Sequence, residues 1–400
     1  MHLSRRNFVK AASVSGIGAL SVPLIAARGS ESLREYMFEP YSPASGLPAF
    51  AANERAPYRI ANPNALRLDS NENPYGPGKA ALDAIRNMFT EAPRYPDVAS
   101  VEIRDAIAKH FKISPENVMV TCGSGEVLRI AVYAFTSPER SLVTGLPSFE
   151  DPVQHAQITR APVHAVPVDA ALRLDLDGML SKMSGAGLVF LCNPNNPTTT
   201  VHGASAVRTF INETHKRAPN AIVLVDEAYH EYVDDPTYAT ALPIALEDPN
   251  VIVVRTFSKV FGMAGLRLGY VIGRPETLRQ MQRHKLGNAI NVLAAAAGVA
   301  TIADPAHIER EKQLNRAARE YTRKAFESLG YKSAESNGNF LMVAIGRDSK
   351  VFKDQCAKHG VLVGRPFPPL TTHARVSIGT MDEMKRATEV FRQVLSGAAN

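Results

Sequence analysis

The sequence predicts an α/β fold: a mostly parallel sheet with helices on both faces, followed by a smaller α/β C-terminal domain. Three observations carry that expectation. Short β-branched runs, such as Ala221-Ile222-Val223-Leu224-Val225 and Val251-Ile252-Val253-Val254, show no polar alternation and read as strands buried on both faces. Stretches of helical period separate them. The 400 residues, 45% of them apolar, are enough to bury a large core with a second, smaller domain beside it.

Residues 1–30 are set apart from that pattern. They hold Arg5, Arg6, Lys10 and Arg28 and no acidic residue, so four of the six net positive charges lie there. The remainder is nearly neutral and gives no reason to invoke nucleic acid. Ser4-Arg5-Arg6-Asn7-Phe8-Val9-Lys10 resembles the bacterial twin-arginine export signal, and a mildly apolar stretch over 11–27 follows it. That resemblance implies a protein that is periplasmic or otherwise exported by the twin-arginine machinery, which carries proteins already folded. The stretch is short and interrupted for a membrane span, with an uncleaved anchor as the alternative reading.

Residues 31–78 read as an extended arm, rich in proline (Pro40, Pro43, Pro48, Pro57, Pro63) and poor in periodicity. Its order must come from packing against another surface. A large domain is expected over 79–290. Within it, 98–111 is amphipathic and helical, 117–121 strand-like and 126–134 helical. Further strands are expected at 142–144, 163–168, 188–192, 221–226, 251–256 and 269–272. Helical patterns fill 275–329, and a β/α region from Asn339 closes the chain, so that 291–400 form linking helices and the small domain. Cys122, Cys192 and Cys356 are odd in number and cannot form a full disulfide framework. Cys122 and Cys192 end apolar runs and read as small core residues.

Lys259 follows the strand at 251–256 directly. Desolvation at the rim of an apolar strand lowers an amine's pKa, and the neutral amine can condense with an aldehyde. Thr256, Ser258 and Arg267 place two hydroxyls and a guanidinium nearby, a set suited to a phosphate dianion. Aldehyde and phosphate together point to pyridoxal 5'-phosphate. Asp226 ends the strand at 221–226, and ligands in open α/β sheets sit beyond the carboxyl ends of strands, so Asp226 and Lys259 are expected to face one crevice. A carboxylate there keeps a pyridine nitrogen protonated. Each residue alone also has an ordinary reading: a strand-end surface lysine, or an aspartate capping a helix.

Three further segments join them. Cys122-Gly123-Ser124-Gly125-Glu126 lies between a strand and a helix, where exposed amides form a phosphate cradle or simply an ordinary turn. Leu128 stands where a dinucleotide fingerprint requires its third glycine. Asn193-Pro194-Asn195-Asn196-Pro197-Thr198 is a rigid turn in which Asn196 is a candidate donor to a ring hydroxyl. Phe149, at another strand-helix junction, is either a core residue or a stacking partner for an aromatic ring.

Taken in order, these segments resemble the fold-type-I pyridoxal-phosphate-dependent aminotransferases, closest to the histidinol-phosphate aminotransferase group. The resemblance covers about residues 60–395. It runs from Asn71-Glu72-Asn73-Pro74-Tyr75-Gly76 through Arg94-Tyr95-Pro96, the glycine turn, Phe149, the Asn196 turn and Asp226-Glu227-Ala228-Tyr229. It continues through 256–270 and Asn339-Phe340 to Arg375-Val376-Ser377-Ile378-Gly379. The resemblance implies that Lys259 holds the cofactor covalently as a Schiff base and shuttles protons, and that Asp226 pairs with the ring nitrogen. Tyr229 and Asn196 would hold the ring hydroxyl, and Phe149 would stack on the ring. Ser124, Gly125, Thr256, Ser258 and Arg267 would hold the phosphate. It further implies a homodimer, with Tyr75 reaching the partner's phosphate site, and Arg375, with Arg365 as a second candidate, anchoring the anionic group of the substrate. The expected partners are a small amino donor and a 2-oxo acid acceptor. Lyases, decarboxylases, cyclising enzymes and non-catalytic relatives share the constellation. Thr199, Phe149 and Gly125 depart from the family's usual glycine, tyrosine and acidic residue, which leaves the substrate open.

Overall fold

The computed structural model describes residues 64–397. After β1 (Leu66–Leu68), seven strands enter one sheet: β2 (Val118–Thr121), β3 (Ser141–Leu146), β4 (Val163–Pro167), β5 (Ala186–Cys192), β6 (Ile222–Asp226), β7 (Val251–Thr256) and β8 (Gly269–Gly273). Their order is β2-β8-β7-β6-β5-β3-β4. Pairs from β4 through β7 are parallel, whereas β8 runs antiparallel to both β7 and β2. The connection from β7 to β8, residues 257–268, holds Lys259 and Arg267 and returns the chain antiparallel beside β7.

The unbroken apolar runs follow from helices on both faces. Leu188, Phe190 and Leu224 pack with Val127, Ile130 and Phe135 of the helix Ser124–Phe135. The alternate residues Val189, Leu191, Val223 and Val225 pack with Phe210 and Ile211 of the helix Ala204–Arg217. Successive side chains of a strand point to opposite faces, so a strand covered twice has no polar side to show.

The helical pattern at 275–329 resolves into Pro275–Gln282, Val292–Ile302 and Pro305–Ser328. Asn291 caps the second of these by accepting from the amides of Leu293 and Ala294, and Asp304 caps the third at His307. Beyond them, β10 (Phe340–Ala344) lies between β9 (Lys332–Ser333) and β12 (His373–Ser377), antiparallel to both.

The end of the arm packs against its own chain: β1 pairs in parallel with β11 (Val361–Val363), Leu66 opposite Val361 and Leu68 opposite Val363. Leu66 and Leu68 are buried among Phe326, Phe352 and Phe391, while Arg67 points outward to Glu72 at 2.6 Å. The Leu-Arg-Leu alternation is a strand signal, but three residues are too few to stand out in sequence.

Candidate active site

Parallel pairing brings the carboxyl ends of β5, β6 and β7 to one edge, with Cys192 level with Asp226 and Asp226 level with Val254. Two backbone bonds extend this alignment past the strand ends: Asn193 N donates to Asp226 O at 2.9 Å, and Glu227 N to Val254 O at 2.9 Å. The asparagine turn, Asp226 and the Lys259 loop therefore open on one crevice, as the strand ends predict.

Lys259 is half-buried, and its Nζ donates to Asn71 O at 3.2 Å and lies 5.3 Å from the Tyr229 ring centroid. Burial, then the charge of Arg375, lowers its pKa from the usual lysine value to about 8, against the pull of Glu72 and Asp226. Asp226 is 3% exposed, and its Oδ1 accepts from Ala228 N at 3.0 Å. Burial pushes its carboxyl up to about 7, although the Ala228 amide and Lys259 both favour the charged form. An amine made less basic and a carboxylic acid made weaker thus sit within each other's field.

Across the crevice, Gly123 (φ 80°) leads into the helix Ser124–Phe135, whose first amides have no partner within the helix. A Cβ on Gly123 would stand 2.4 Å from Arg267 Nη2, and one on Gly269 would stand 2.4 Å from Ser124 N. Only hydrogen fits at either place, so the guanidinium lies over the helix start. Arg267 Nη1 approaches Ser258 Oγ at 3.4 Å, and Thr256 Oγ1 donates to the same Ser258 oxygen at 3.0 Å. Ser124, Thr256, Ser258 and Arg267 are brought together. Gly125 carries no carboxylate of its own, yet Asp151 Oδ2 lies 3.5 Å from where its Cβ would be. Burial, then Glu150, raises the pKa of Asp151, while Arg267 lowers it.

Asn196 is buried, and its Oδ1 accepts from Arg375 Nη1 at 2.8 Å, which leaves its Nδ2 to donate into the crevice. Tyr229 is buried beside it and accepts from Asn71 Nδ2 at 3.1 Å, so its own O–H is available to donate. Burial, more than any other cause, pushes that phenol up and keeps it protonated. Arg375 Nη2 donates to Asp69 O at 2.7 Å. Phe149 is half-buried against the core that contains Val127 and Ala156. Arg365 is also half-buried, but its Nη2 pairs with Glu150 Oε2. Tyr75 stands apart from these groups within its own chain: it is 37% exposed, and its phenol is raised by burial and then by Glu311.

Residue-by-residue reading gives no separate role to Asn71, Ser377 or Asn339. Asn71 adopts φ 53°, a left-handed conformation that asparagine tolerates better than most residues. Its N donates to Ser377 Oγ at 2.8 Å, that hydroxyl donates back to Asn71 Oδ1 at 2.7 Å, and Asn339 Nδ2 donates to Asn71 O at 3.0 Å. These bonds aim the Asn71 carbonyl at Lys259. The available signal is that all three residues lie inside recognisable motif segments.

The residues present fit pyridoxal phosphate. Two glycines clear a cradle that side chains would fill, a guanidinium and two hydroxyls converge on it, and a buried carboxyl and a lysine of lowered basicity stand beyond. Comparison with known proteins agrees. Residues 63–391 match the family model described as aminotransferase class I and II. The chain is 35% identical to a histidinol-phosphate aminotransferase of Symbiobacterium thermophilum, over 82% of this chain and 90% of that one. It is 33% identical to an aromatic amino acid aminotransferase of Nocardia farcinica, over 85% and 92%. The crystal structure of histidinol-phosphate aminotransferase from Sinorhizobium meliloti in complex with pyridoxal-5'-phosphate superimposes with a TM-score of 0.80 at 26% identity, over 86% of this chain and 94% of that one.

Proposed function

The chain belongs to the class I and II aminotransferase family, and from that premise we propose how its residues divide the work. It is a pyridoxal-phosphate-dependent aminotransferase, acting on amino and 2-oxo acid substrates. The observation that carries the assignment of roles is Lys259, its basicity lowered, beside the buried Asp226 at the ends of adjacent strands.

Bound there, pyridoxal phosphate supplies an aldehyde that takes up the amino group and a ring that stores the electron pair released at the substrate's α-carbon. Lys259 would hold the cofactor covalently through Nζ, and the same amine, when free, would move the donor's α-proton. Asp226 would keep a proton at the ring nitrogen. Asn196 Nδ2 and the Tyr229 hydroxyl would bind the ring oxygen, and Phe149 would cover the ring. The Ser124 and Gly125 amides would hold the phosphate with Thr256, Ser258 and Arg267. Arg375, fixed by Asn196 and Asp69, would hold the substrate's anionic group beside Lys259. The two half-reactions alternate. The donor is an amino acid or an amino-phosphate compound, in keeping with the two kinds of substrate named for the relatives.

Adding a panel of amino acids to the loaded enzyme and following its visible absorption tests this reading. Bleaching that a 2-oxo acid restores is the expected result. Release of carbon dioxide, or no response to any donor, overturns it. Lys259→Ala should abolish turnover, and borohydride reduction of the wild-type enzyme should leave the cofactor on Lys259.

The same reading includes a homodimer with Tyr75 completing the partner's phosphate site. Tyr75 supports it, since the residue is 37% exposed in its own chain and so open to a partner. Inactive Lys259→Ala and Tyr75→Ala proteins, mixed and shown to exchange subunits, should regain activity; exchange without recovery overturns the shared site. Export by the twin-arginine route rests on Arg5, Arg6, Phe8 and Lys10, which lie outside the described residues. Arg5→Lys with Arg6→Lys should retain folded enzyme in the cytoplasm, and unchanged export overturns this assignment.

A further inference from the structure

On the substrate side of the crevice, two guanidinium groups share one aromatic ring. Arg375 and Arg365 lie 4.7 and 4.3 Å from the centroid of the buried Phe367, near enough for both to draw on its π-face. Arg375 continues to Asn196 at 2.8 Å and so belongs to the cofactor end. Arg365 turns the other way. Its Nη1 donates to Pro366 O at 2.8 Å, and its Nη2 meets Glu150 Oε2. Glu150 directly follows Phe149 on the loop between β3 and the helix Asp151–Ile158, while Arg365 lies on the loop after β11. The pair therefore spans the crevice from the cofactor-bearing sheet to the small C-terminal region.

We propose that Glu150 determines substrate specificity by acting as an internal counter-anion for Arg365. The inference rests on the aminotransferase function proposed for this site and names its substrate class. A donor whose side chain ends in a neutral group leaves the Glu150–Arg365 pair intact. A donor with a distal carboxylate or phosphate gains Arg365 only by displacing Glu150, and then meets the displaced carboxylate nearby. The site accordingly favours donors with one anionic group over donors with two. The bias is graded rather than absolute, because the side chains of Arg365 and Glu150 are 32% and 45% exposed and water weakens their attraction.

Two ligands that do not react separate this effect from catalysis. Succinate and butanoate share a four-carbon chain and differ in the second carboxylate. Their dissociation constants for the loaded enzyme are measured by calorimetry on the wild type, Glu150→Gln, and Glu150→Gln with Arg365→Ala. Glu150→Gln should tighten succinate about five-fold, the scale of a partly exposed ion pair, and leave butanoate unchanged. The double variant should lose that gain. In turnover, Glu150→Gln should lower KM for a donor with a distal carboxylate and leave kcat and the KM for an apolar donor as they were. Unchanged succinate binding overturns the proposal, as does an equal shift in both ligands, which is what a merely structural role produces. If no donor supports transamination, the proposed function fails, yet the binding comparison still reads out on Glu150.

Discussion

Asp226 and Glu227 are consecutive carboxylates at the end of β6, both almost fully buried, and the fold treats them in opposite ways. Glu227 is saturated. Its Oε2 accepts from Arg255 Nε at 2.9 Å, Arg255 Nη2 at 2.7 Å and Thr240 Oγ1 at 2.7 Å, and its Oε1 accepts from Ala241 N at 2.6 Å. Asp226 accepts from the Ala228 amide and otherwise faces the crevice, where burial raises its carboxyl to about 7. Glu227 ties the segment after β6 to Arg255 on β7 and to the loop before the helix Leu242–Glu247. Asp226 is held short of partners, which costs stability and leaves an acceptor for a ligand's proton. One chain position separates a structural charge from a functional one, and hydrogen-bond saturation distinguishes them.

The largest expected effect comes from breaking the saturated side. Glu227→Ala leaves Arg255 charged and buried without its main partner, and should cost about 3–5 kcal/mol of stability in urea unfolding. Turnover per folded molecule should change far less. Asp226→Asn should do the reverse. Turnover falls about a hundred-fold or more, the scale of a lost proton-holding group, while the cofactor-free protein becomes more stable. The sign follows from the shift. The unfolded carboxyl ionises near 3.8 and the folded one near 7, so stability from this group is full below 3.8 and is lost as pH rises through 7. At pH 8 the substitution removes that loss, a gain on the order of 1–3 kcal/mol after the cost of an unpaired amide hydrogen.

Lys259 extends the contrast to kinetics. Capture of pyridoxal phosphate by the cofactor-free enzyme needs the neutral amine, so its rate should rise about ten-fold per pH unit and level off above about 8, where Lys259 has lost its proton. Stopped-flow absorbance reads this directly; a rise that continues towards pH 10 would mean an ordinary lysine. The smallest effect is expected at Asn71, which aims a carbonyl at that amine and donates to the Tyr229 oxygen. Asn71→Ala leaves the Ser377 hydroxyl without its acceptor and should cost about 1–2 kcal/mol of stability with a few-fold change in KM.

The parts of this molecule legible in sequence are those built from neighbours along the chain. β5, β6 and β7 declare themselves by unbroken apolar runs, because helices cover both of their faces. Thr256 ends β7, and Ser258 and Arg267 lie on the loop that follows it, so their grouping is readable along the chain. β1 is not legible, since three residues carry too little pattern and its partner β11 lies at the far end of the chain. Asn71 and Ser377 are 306 positions apart, and Glu150 and Arg365 are 215 apart. No local signal connects such pairs. In sequence Arg365 reads as a cation for substrate, and only the folded chain shows that Glu150 reaches it first.

The comparison of the two carboxylates is tested most directly by urea unfolding of the cofactor-free Asp226→Asn and Glu227→Gln proteins beside the wild type at pH 8 and pH 5. Asp226→Asn should be more stable than the wild type at pH 8, with the advantage shrinking at pH 5, where the folded Asp226 carboxyl keeps its proton. Glu227→Gln should be less stable at pH 8. Two variants destabilised alike at pH 8 would contradict the account, because Asp226 would then be a paired structural charge like its neighbour.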